Sequence, residues 1–267
     1  MASADPPTRA AHLLGVACAL CCLGCAGRAV EWPLPTYPTM SDEESLRVIA
    51  LRQARITTVS AQCDILLTDA DGQRVHLDGV LLAMPLAPTG PRVRLRAWKL
   101  GRPVFDLTLT DGTAWLIAPE NAPLNDRGTP SSGLPPPPAD AAASPARRIG
   151  AALDRIGPRF FQAATVVRSS PETITATGAG ADSTTCEIDR VTLTPRRFIP
   201  GGATDSAGTA SDLRLSEYRL IGEIVWAHRL RLNGPGGAAD VLMSDVELNG
   251  DLPPGAFTPP VRARRFP

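Results

Sequence analysis

The chain has 267 residues, 43% of them hydrophobic and 4% aromatic, with 27 basic against 27 acidic side chains and a formal net charge of zero. That balance argues against a nucleic-acid binder, which needs an excess of Arg and Lys to displace counterions from phosphates, and gives no net attraction to an anionic membrane surface. The length suffices for a sizeable core in one large domain or two small ones, and 27 Pro with 23 Gly break an aliphatic sequence with many turns.

Four of the six cysteines lie in the run HLLGVACALCCLGCAG, residues 12–27. Cys18 and Cys21, like Cys22 and Cys25, have the spacing of a metal-binding pair. They sit in an apolar stretch, however, and no His or Cys set follows at zinc-ribbon spacing, so no metal is expected. For targeting the pattern fits well. Arg9 and His12 precede an apolar run from Leu13 to Leu23, followed by Gly24 and Cys25. A weakly positive start, an apolar stretch of about 7–15 residues and a small residue at the cut describe a secretory signal. The run is shorter than the roughly 20 apolar residues that span a bilayer. Leu23-Gly24-Cys25 resembles the bacterial lipobox, in which the cysteine becomes the acylated first residue, although Cys22 stands where the lipobox usually has Leu. The resemblance implies a lipoprotein-type signal peptide at 1–24 and lipid attachment at Cys25. An ordinary cysteine-rich signal peptide is the competing reading. Cys63 and Cys186 then remain, both in strand patterns. An oxidising compartment permits a disulfide between them, and the sequence leaves open whether their backbones come close enough.

Residues 25–40 carry three prolines in AGRAVEWPLPTYPTM and no apolar period, as a flexible tether would. Ser41-Asp-Glu-Glu44 reads as an N-cap with acidic residues at the positive end of a helix dipole. The helix should run through Leu46, Ile49 and Ala50 to about Ala54. From Val59 the apolar period becomes two. VSAQCDILLTD and QRVHLDGVLLA form a pair about Asp71-Gly72, a hairpin signal. Asp69 and Asp71 could suggest a calcium loop, but the required Gly position is Arg74 and the closing Glu is missing. PRVRLRAWKLG alternates Val93, Leu95 and Ala97 against Arg92, Arg94 and Arg96, so one side of this sheet is wet. RPVFDLTLTDGTAWLIAP adds two strands about Asp111-Gly112, completing a five-stranded meander.

Residues 119–145 are too rich in Pro, Ser and Ala to pack and read as a loop. Ser144-Pro145 then looks like a helix start, with Ile149, Ala152, Leu153, Ile156 and Phe160 on one stripe and Gly157-Pro158 ending or kinking the helix. Strands resume at ETITATG, STTCEIDRVTLTP, SDLRLSEYRLIGEIVWAHRLRLN and ADVLMSDVELNG. One domain over 41–267, mostly antiparallel β with two helices, follows.

Catalytic signatures are missing. His76 and His228 lie in strand patterns without an HExxH, GxSxG or Cys-His companion. Gly178, Gly180, Gly234, Gly236 and Gly237 lack the spacing and strand-to-helix setting of a nucleotide loop. Asp64, Asp106 and Asp189 cannot be paired into an acid–base couple without geometry. Neither an enzyme nor a cofactor is expected.

The order of elements resembles the LolA/LolB-like periplasmic lipoprotein carriers and receptors. The likeness is carried by RVTLTPRRFIP, by SEYRLIGEIVWAHRLRL and by the closing DVELNGDLPPGAFTPP, and it spans roughly residues 41–260; the loop at 119–145 is longer and richer in Pro than the family pattern. What the resemblance implies is a mainly β (α+β) fold: a single curved antiparallel sheet forming an unclosed half-barrel, with covering helices over an apolar concave face. It implies a lining from Ile65, Leu67, Leu77 and Leu81, from Val93 and Leu95, and from Phe105, Leu107, Leu109, Trp115 and Trp226. Ile149, Leu153, Ile156 and Phe160 would belong to a covering helix, unless all of these simply fill a solid core. Met84 and Leu86 in LLAMPLAPTG would form a protruding apolar loop, or an ordinary turn. The implied function is non-catalytic binding of lipid or acylated lipoprotein cargo by a membrane-anchored envelope protein, facing the periplasm from the outer membrane. The alternative is an assembly or scaffold lipoprotein that uses the same fold for contacts with an envelope protein partner.

Overall fold

The computed structural model describes residues 33–84, 92–111, 113–117, 158–178, 184–199, 212–234 and 237–266. Helix α1 (Asp42–Ala54) starts where the sequence places it. The extended Ser41 accepts the Glu44 N–H on its Oγ at 3.2 Å, and Asp42, Glu43 and Glu44 fill the first turn, where the exposed backbone N–H groups favour negative charge. Leu46, Ile49 and Ala50, at i, i+3 and i+4, are buried. So are Arg52 and Gln53. The Arg52 guanidinium donates to the main-chain carbonyls of Leu193 and Thr192, latching the last turn of the helix to a loop far away in sequence. The expected tether is held at its end: the Tyr37 N–H donates to Val191 O at 2.8 Å, and Tyr37 and Met40 pack against the core.

The meander forms as predicted, with β1 (Val59–Thr68), β2 (Arg74–Met84), β3 (Arg92–Lys99), β4 (Arg102–Thr110) and β5 (Thr113–Ile117). In the first hairpin the Asp69 carboxylate accepts the N–H groups of Asp71 and Gln73 at 3.0 and 2.8 Å, so a turn occupies the site of the rejected calcium loop. The second half holds α2 (Pro158–Ala163), β6 (Thr165–Ser169), β7 (Thr173–Thr177), β8 (Thr185–Asp189), β9 (Pro195–Ile199), β10 (Asp212–Ile221), β11 (Ile224–Gly234), β12 (Gly237–Leu248) and β13 (Arg264–Phe266). All thirteen strands form one sheet in the order β13-β5-β4-β3-β2-β1-β12-β11-β10-β9-β8-β7-β6, and every pairing is antiparallel. β13 and β6 remain as edges, so the curved sheet is not closed.

Several boundaries differ from the sequence reading. STTCEIDRVTLTP is not one strand: the Asp189 carboxylate accepts the N–H groups of Val191 and Thr192 at 2.9 and 2.7 Å, and Leu193 has φ 51°. This side-chain turn ends β8 and supplies the carbonyls that Arg52 uses. Pro158 opens α2, a position where its missing N–H is harmless. β6 and β13 were not expected; each is short and lies at an edge. The helix expected from Ser144 and the loop 119–145 lie outside the described residues.

β3 and β4 turn through Leu100 and Gly101, with φ of 51° and 73°. A two-residue hairpin with both φ positive favours Asn-Gly, whereas an L-residue with a bulky side chain is strained there. Leu100 is 92% exposed and gains little packing in return. Leu100→Asn should therefore raise stability by roughly 0.5–1 kcal/mol, read as a higher urea midpoint at unchanged slope; a lower midpoint would show that Leu100 is held by contacts.

Candidate functional site

Strand alternation gives the sheet two chemically different faces. On one face, Ala61, Leu81, Leu95, Leu107 and Leu116 stand opposite one another across β1 to β5. A second row runs the other way, through Leu67, Ala239, Leu232, Leu213, Phe198, Cys186 and Ala176 from β1 to β7. Ile65 joins the two halves, paired with Leu77 on one side and with Val241 on the other, and Val241 leads on to Leu230 and Leu215. All of these except Leu67 are buried.

The opposite face carries paired charges. The Arg94 guanidinium grips Asp106 through two bonds of 2.9 and 2.7 Å, Arg197 holds Asp212 at 2.8 and 3.0 Å, and Arg229 holds Asp240 at 2.8 and 2.7 Å. Burial acts to raise the carboxyl pKa of Asp240, but the Arg229 and Arg231 guanidiniums keep it below the usual range. These pairs are half-exposed and each adds little stability. Their effect is to keep this face wet.

Ile65, Leu77, Leu81, Val93, Leu95, Phe105, Leu107 and Trp226 are all buried, and Leu67 and Leu109 are half-buried at the margin of the same core. Trp115 departs from the expected lining. Leu107 pairs with Leu116 and Thr108 with Trp115, so Leu116 takes the apolar face and Trp115 the other. Residue size suggested Trp115, but register decides. Phe160 packs edge-to-face on Phe161 and Phe198, with ring centroids 5.1 and 5.2 Å away, closing the β7–β9 end of the core. Met84 ends β2 and lines a groove of about 580 Å³ with Arg92, Thr110 and the 250–259 segment. Cys25, Leu86, Ile149, Leu153 and Ile156 lie outside the described residues.

Cys63 and Cys186 are free, buried thiols on β1 and β8, with β12, β11, β10 and β9 between them in the sheet. The disulfide that the compartment would permit is not formed. Burial pushes the Cys63 thiol up to about 12 and raises Cys186 well above its ordinary value, so neither is a nucleophile.

The two histidines do not meet. His76 lies exposed on β2 with its Nε2 against the Asp64 carboxylate, while His228 is buried on β11. Among the described residues no three His, Cys, Asp or Glu side chains gather as metal ligands, and no helix is long and apolar enough to cross a membrane. The β11–β12 ladder runs only as far as Arg229 and Leu242. At the next position His228 Nδ1 donates to Met243 O at 3.0 Å, which assigns the proton to Nδ1 and leaves Nε2 as a buried acceptor without a donor among the described residues. The indole Nε1 of Trp226, two residues earlier, is likewise buried without a partner.

Cover over the apolar face comes from α1. A groove of about 610 Å³ separates α1 from α2 and β6, lined by Leu46, Ala50, Leu51, Phe161, Ala164 and Val166. A second, much smaller cavity of about 10 Å³ lies where Gln53 of α1 meets Tyr218, Trp226 and Leu230 of the sheet. Neither is lined by Ile65, Leu77, Leu81, Leu95 or Leu107, which are packed in the core. Sequence reasoning did not reach Arg52, Gln53 or Gly79. A Cβ at Gly79 would stand 2.7 Å from Ile65 Cδ1 and 3.0 Å from Arg96 O, and an isolated Gly within a strand is the signal that could have revealed this close approach.

An open antiparallel sheet, apolar on the side covered by an N-terminal helix and charged on the other, has counterparts among solved structures. A putative outer membrane lipoprotein-sorting protein domain from Vibrio parahaemolyticus superposes with a TM-score of 0.51 at 12% identity, over 82% of this chain and 97% of that one. A LolA superfamily protein from Nitrosomonas europaea gives 0.50 at 12% identity, over 82% and 98%. The fold is LolA/LolB-like. No family model and no curated protein matches the chain. Within this LolA/LolB-like fold, the strand residues Ile65, Leu67, Leu77, Leu81, Val93, Leu95, Phe105, Leu107, Leu109 and Trp226 lie in or at the margin of the core, while Trp115 does not.

Burial lowers the His228 pKa, with Arg219 acting the same way, while the bond to Met243 O and the charge of Glu217 oppose the shift. The folded chain therefore refuses a proton that the unfolded chain takes up near pH 6.5. The resulting stability is present above that pH and is lost as pH falls below it, by at most about 1.4 kcal/mol per unit. Urea midpoints at pH 7 and pH 5 should differ less in His228→Phe than in the unmodified chain, and equal differences would remove His228 as the cause.

Proposed function

We propose that this protein is a membrane-anchored envelope lipoprotein that binds a lipid or acylated cargo against the apolar face of its sheet, by hydrophobic capture without chemistry. The observation that carries this reading is the continuity of that face, from Leu116 on β5 through Ile65 to Ala176 on β7, beneath a helix held by side-chain contacts of Asp42 at its start and Arg52 at its end. Each CH₂ moved from water onto such a surface contributes about 0.8 kcal/mol, so a sixteen-carbon chain gains on the order of 10 kcal/mol. On this reading a chain enters when α1, freed from Arg190 and Ser169 at its start and from the Leu193 and Thr192 carbonyls at its end, shifts off the sheet.

Anchoring through Cys25 after removal of residues 1–24, with 26–36 as tether, would hold this body at the outer membrane facing the periplasm. One exposed apolar point that could touch that membrane is Leu100, which projects from the β3–β4 turn between Lys99 and Arg102 and two residues beyond Trp98. Apolar tips flanked by basic and indole side chains suit a bilayer interface. Leu100→Asn, stable by the argument above, should reduce co-sedimentation with anionic phosphatidylglycerol vesicles several-fold at low salt; unchanged binding would rule this contact out.

The cargo reading is tested by native mass spectrometry of the full chain, expressed in the cytoplasm so that it carries no lipid anchor and purified without detergent, with organic extraction of bound material. A stoichiometric acyl lipid is expected, reduced in Leu109→Glu, where the half-buried margin tolerates the change better than the core. A folded chain that holds no lipid and ignores added fatty acid and phospholipid would leave the scaffold role as the better account.

A further inference from the structure

The apolar face contains one place where polar groups are buried for no evident structural gain. Trp226 is 6% exposed, and its Nε1–H has no acceptor among the described residues. Gln53, 5% exposed, approaches from α1. Both line the cavity of about 10 Å³ between helix and sheet. That is about the space of one oxygen atom with its lone pairs, as in a water or a carbonyl, and far too little for an alkyl chain. Among the other walls Leu215, Val225 and Leu230 are aliphatic, and the Tyr218 hydroxyl, which donates to Pro195 O, makes no bond with the indole.

An orphaned buried donor destabilises a fold, so its presence on a surface otherwise built from aliphatics asks for an acceptor that arrives from outside. We propose that the Trp226 indole N–H, together with the Gln53 side-chain amide, is the polar contact for the carbonyl oxygen at the head of an acyl chain. The assignment rests on the cargo reading above and adds the head-group chemistry. A carbonyl oxygen has two lone pairs and can accept from both groups, whereas an alkyl ether offers a weaker and more crowded acceptor. Leu230 lies four residues from Trp226 on β11 and leads by ladder pairing to Val241 and Ile65, so the chain behind a carbonyl held here has an apolar row to follow. Because one donor belongs to the sheet and the other to α1, the same oxygen bonds the helix back onto the face as the ligand seats.

The test uses the full chain, expressed in the cytoplasm, and three ligands with the same sixteen-carbon length: monopalmitoylglycerol (ester carbonyl), hexadecylglycerol (ether) and palmitic acid (carboxyl). The unmodified chain should bind the ester about tenfold more tightly than the ether, the effect of one net hydrogen bond. Trp226→Phe keeps the ring bulk, removes the sheet's donor, and should lose most of the ester preference with an unfolding midpoint no lower than that of the unmodified chain. Gln53→Met should lose part of the preference. Palmitic acid grouping with the ester assigns the site to any acyl carbonyl, and grouping with the ether restricts it to esters. Equal binding of ester and ether by the unmodified chain, or an ester preference undiminished in Trp226→Phe, overturns the assignment while leaving the cargo reading intact. Failure of all three ligands to bind removes the cargo reading and the assignment together.

Discussion

The fold depends on the pairing of β1 with β12. β1 opens the chain's strands and β12 closes its second meander, yet they align from Val59 opposite Leu248 to Thr68 opposite Ala238. Without that ladder the chain would be two separate sheets, each with an exposed apolar face and one more free edge. With it, Ile65 stands between Leu77 and Val241, and the two apolar surfaces become one. The ladder is also long-range in sequence, so its closure entropy must be met before its contacts help, and formation of the hairpins ahead of it is the expected order of folding. A register shift between Ser60 and Gln62, opposite Asp245 at φ 46°, bends the pair without breaking the alternation that keeps each face uniform.

Everything placed on the sheet follows from that division of faces. The charged side is neutralised by cross-strand Arg–Asp pairs and stays in water. The apolar side must be covered, and α1 supplies cover with two kinds of contact. Leu46, Ile49 and Ala50 bury carbon against carbon, a contact without direction that tolerates sliding. Arg52 makes directed bonds to two carbonyls presented by the Asp189 turn. A cover held by apolar packing and by directed contacts at its two ends, Asp42 with Arg190 and Ser169 and Arg52 with the Asp189 turn, can release without unfolding the sheet, which suits a surface that exchanges its occupant.

Polar groups without partners gather on this same side. Trp226 Nε1 and His228 Nε2 sit two residues apart on β11, where the ladder to β12 ends. Aliphatic side chains there would make a more stable core. Stability is thus surrendered at the junction of sheet and helix, while the rows through Leu95 and Leu232 keep tight packing. The free thiols fit the same picture: Cys63, between Met243 and Gly79, and Cys186, in the Leu232 row, behave as small apolar side chains, and burial keeps them protonated.

Much of this was readable in the amino-acid order because the rules involved are local. The Ser41 cap depends on a residue three positions away, the hairpins on two or three turn residues, and the wet and dry sides of β3 on the alternation of Val93, Leu95 and Ala97 with arginines. The sequence by itself therefore determined α1, the five-stranded meander, most of the later strands and most of the apolar face. What joins distant segments was decided only in the tertiary structure. Register put Leu116 rather than Trp115 on the apolar face, four intervening strands kept Cys63 from Cys186, and the packing of α1 brought Gln53 to Trp226 and Arg52 to Leu193. None of these pairs is separated by a helical or strand period, so no local pattern could announce them; each exists because β12 returns to lie beside β1 and the helix is laid across the surface this creates.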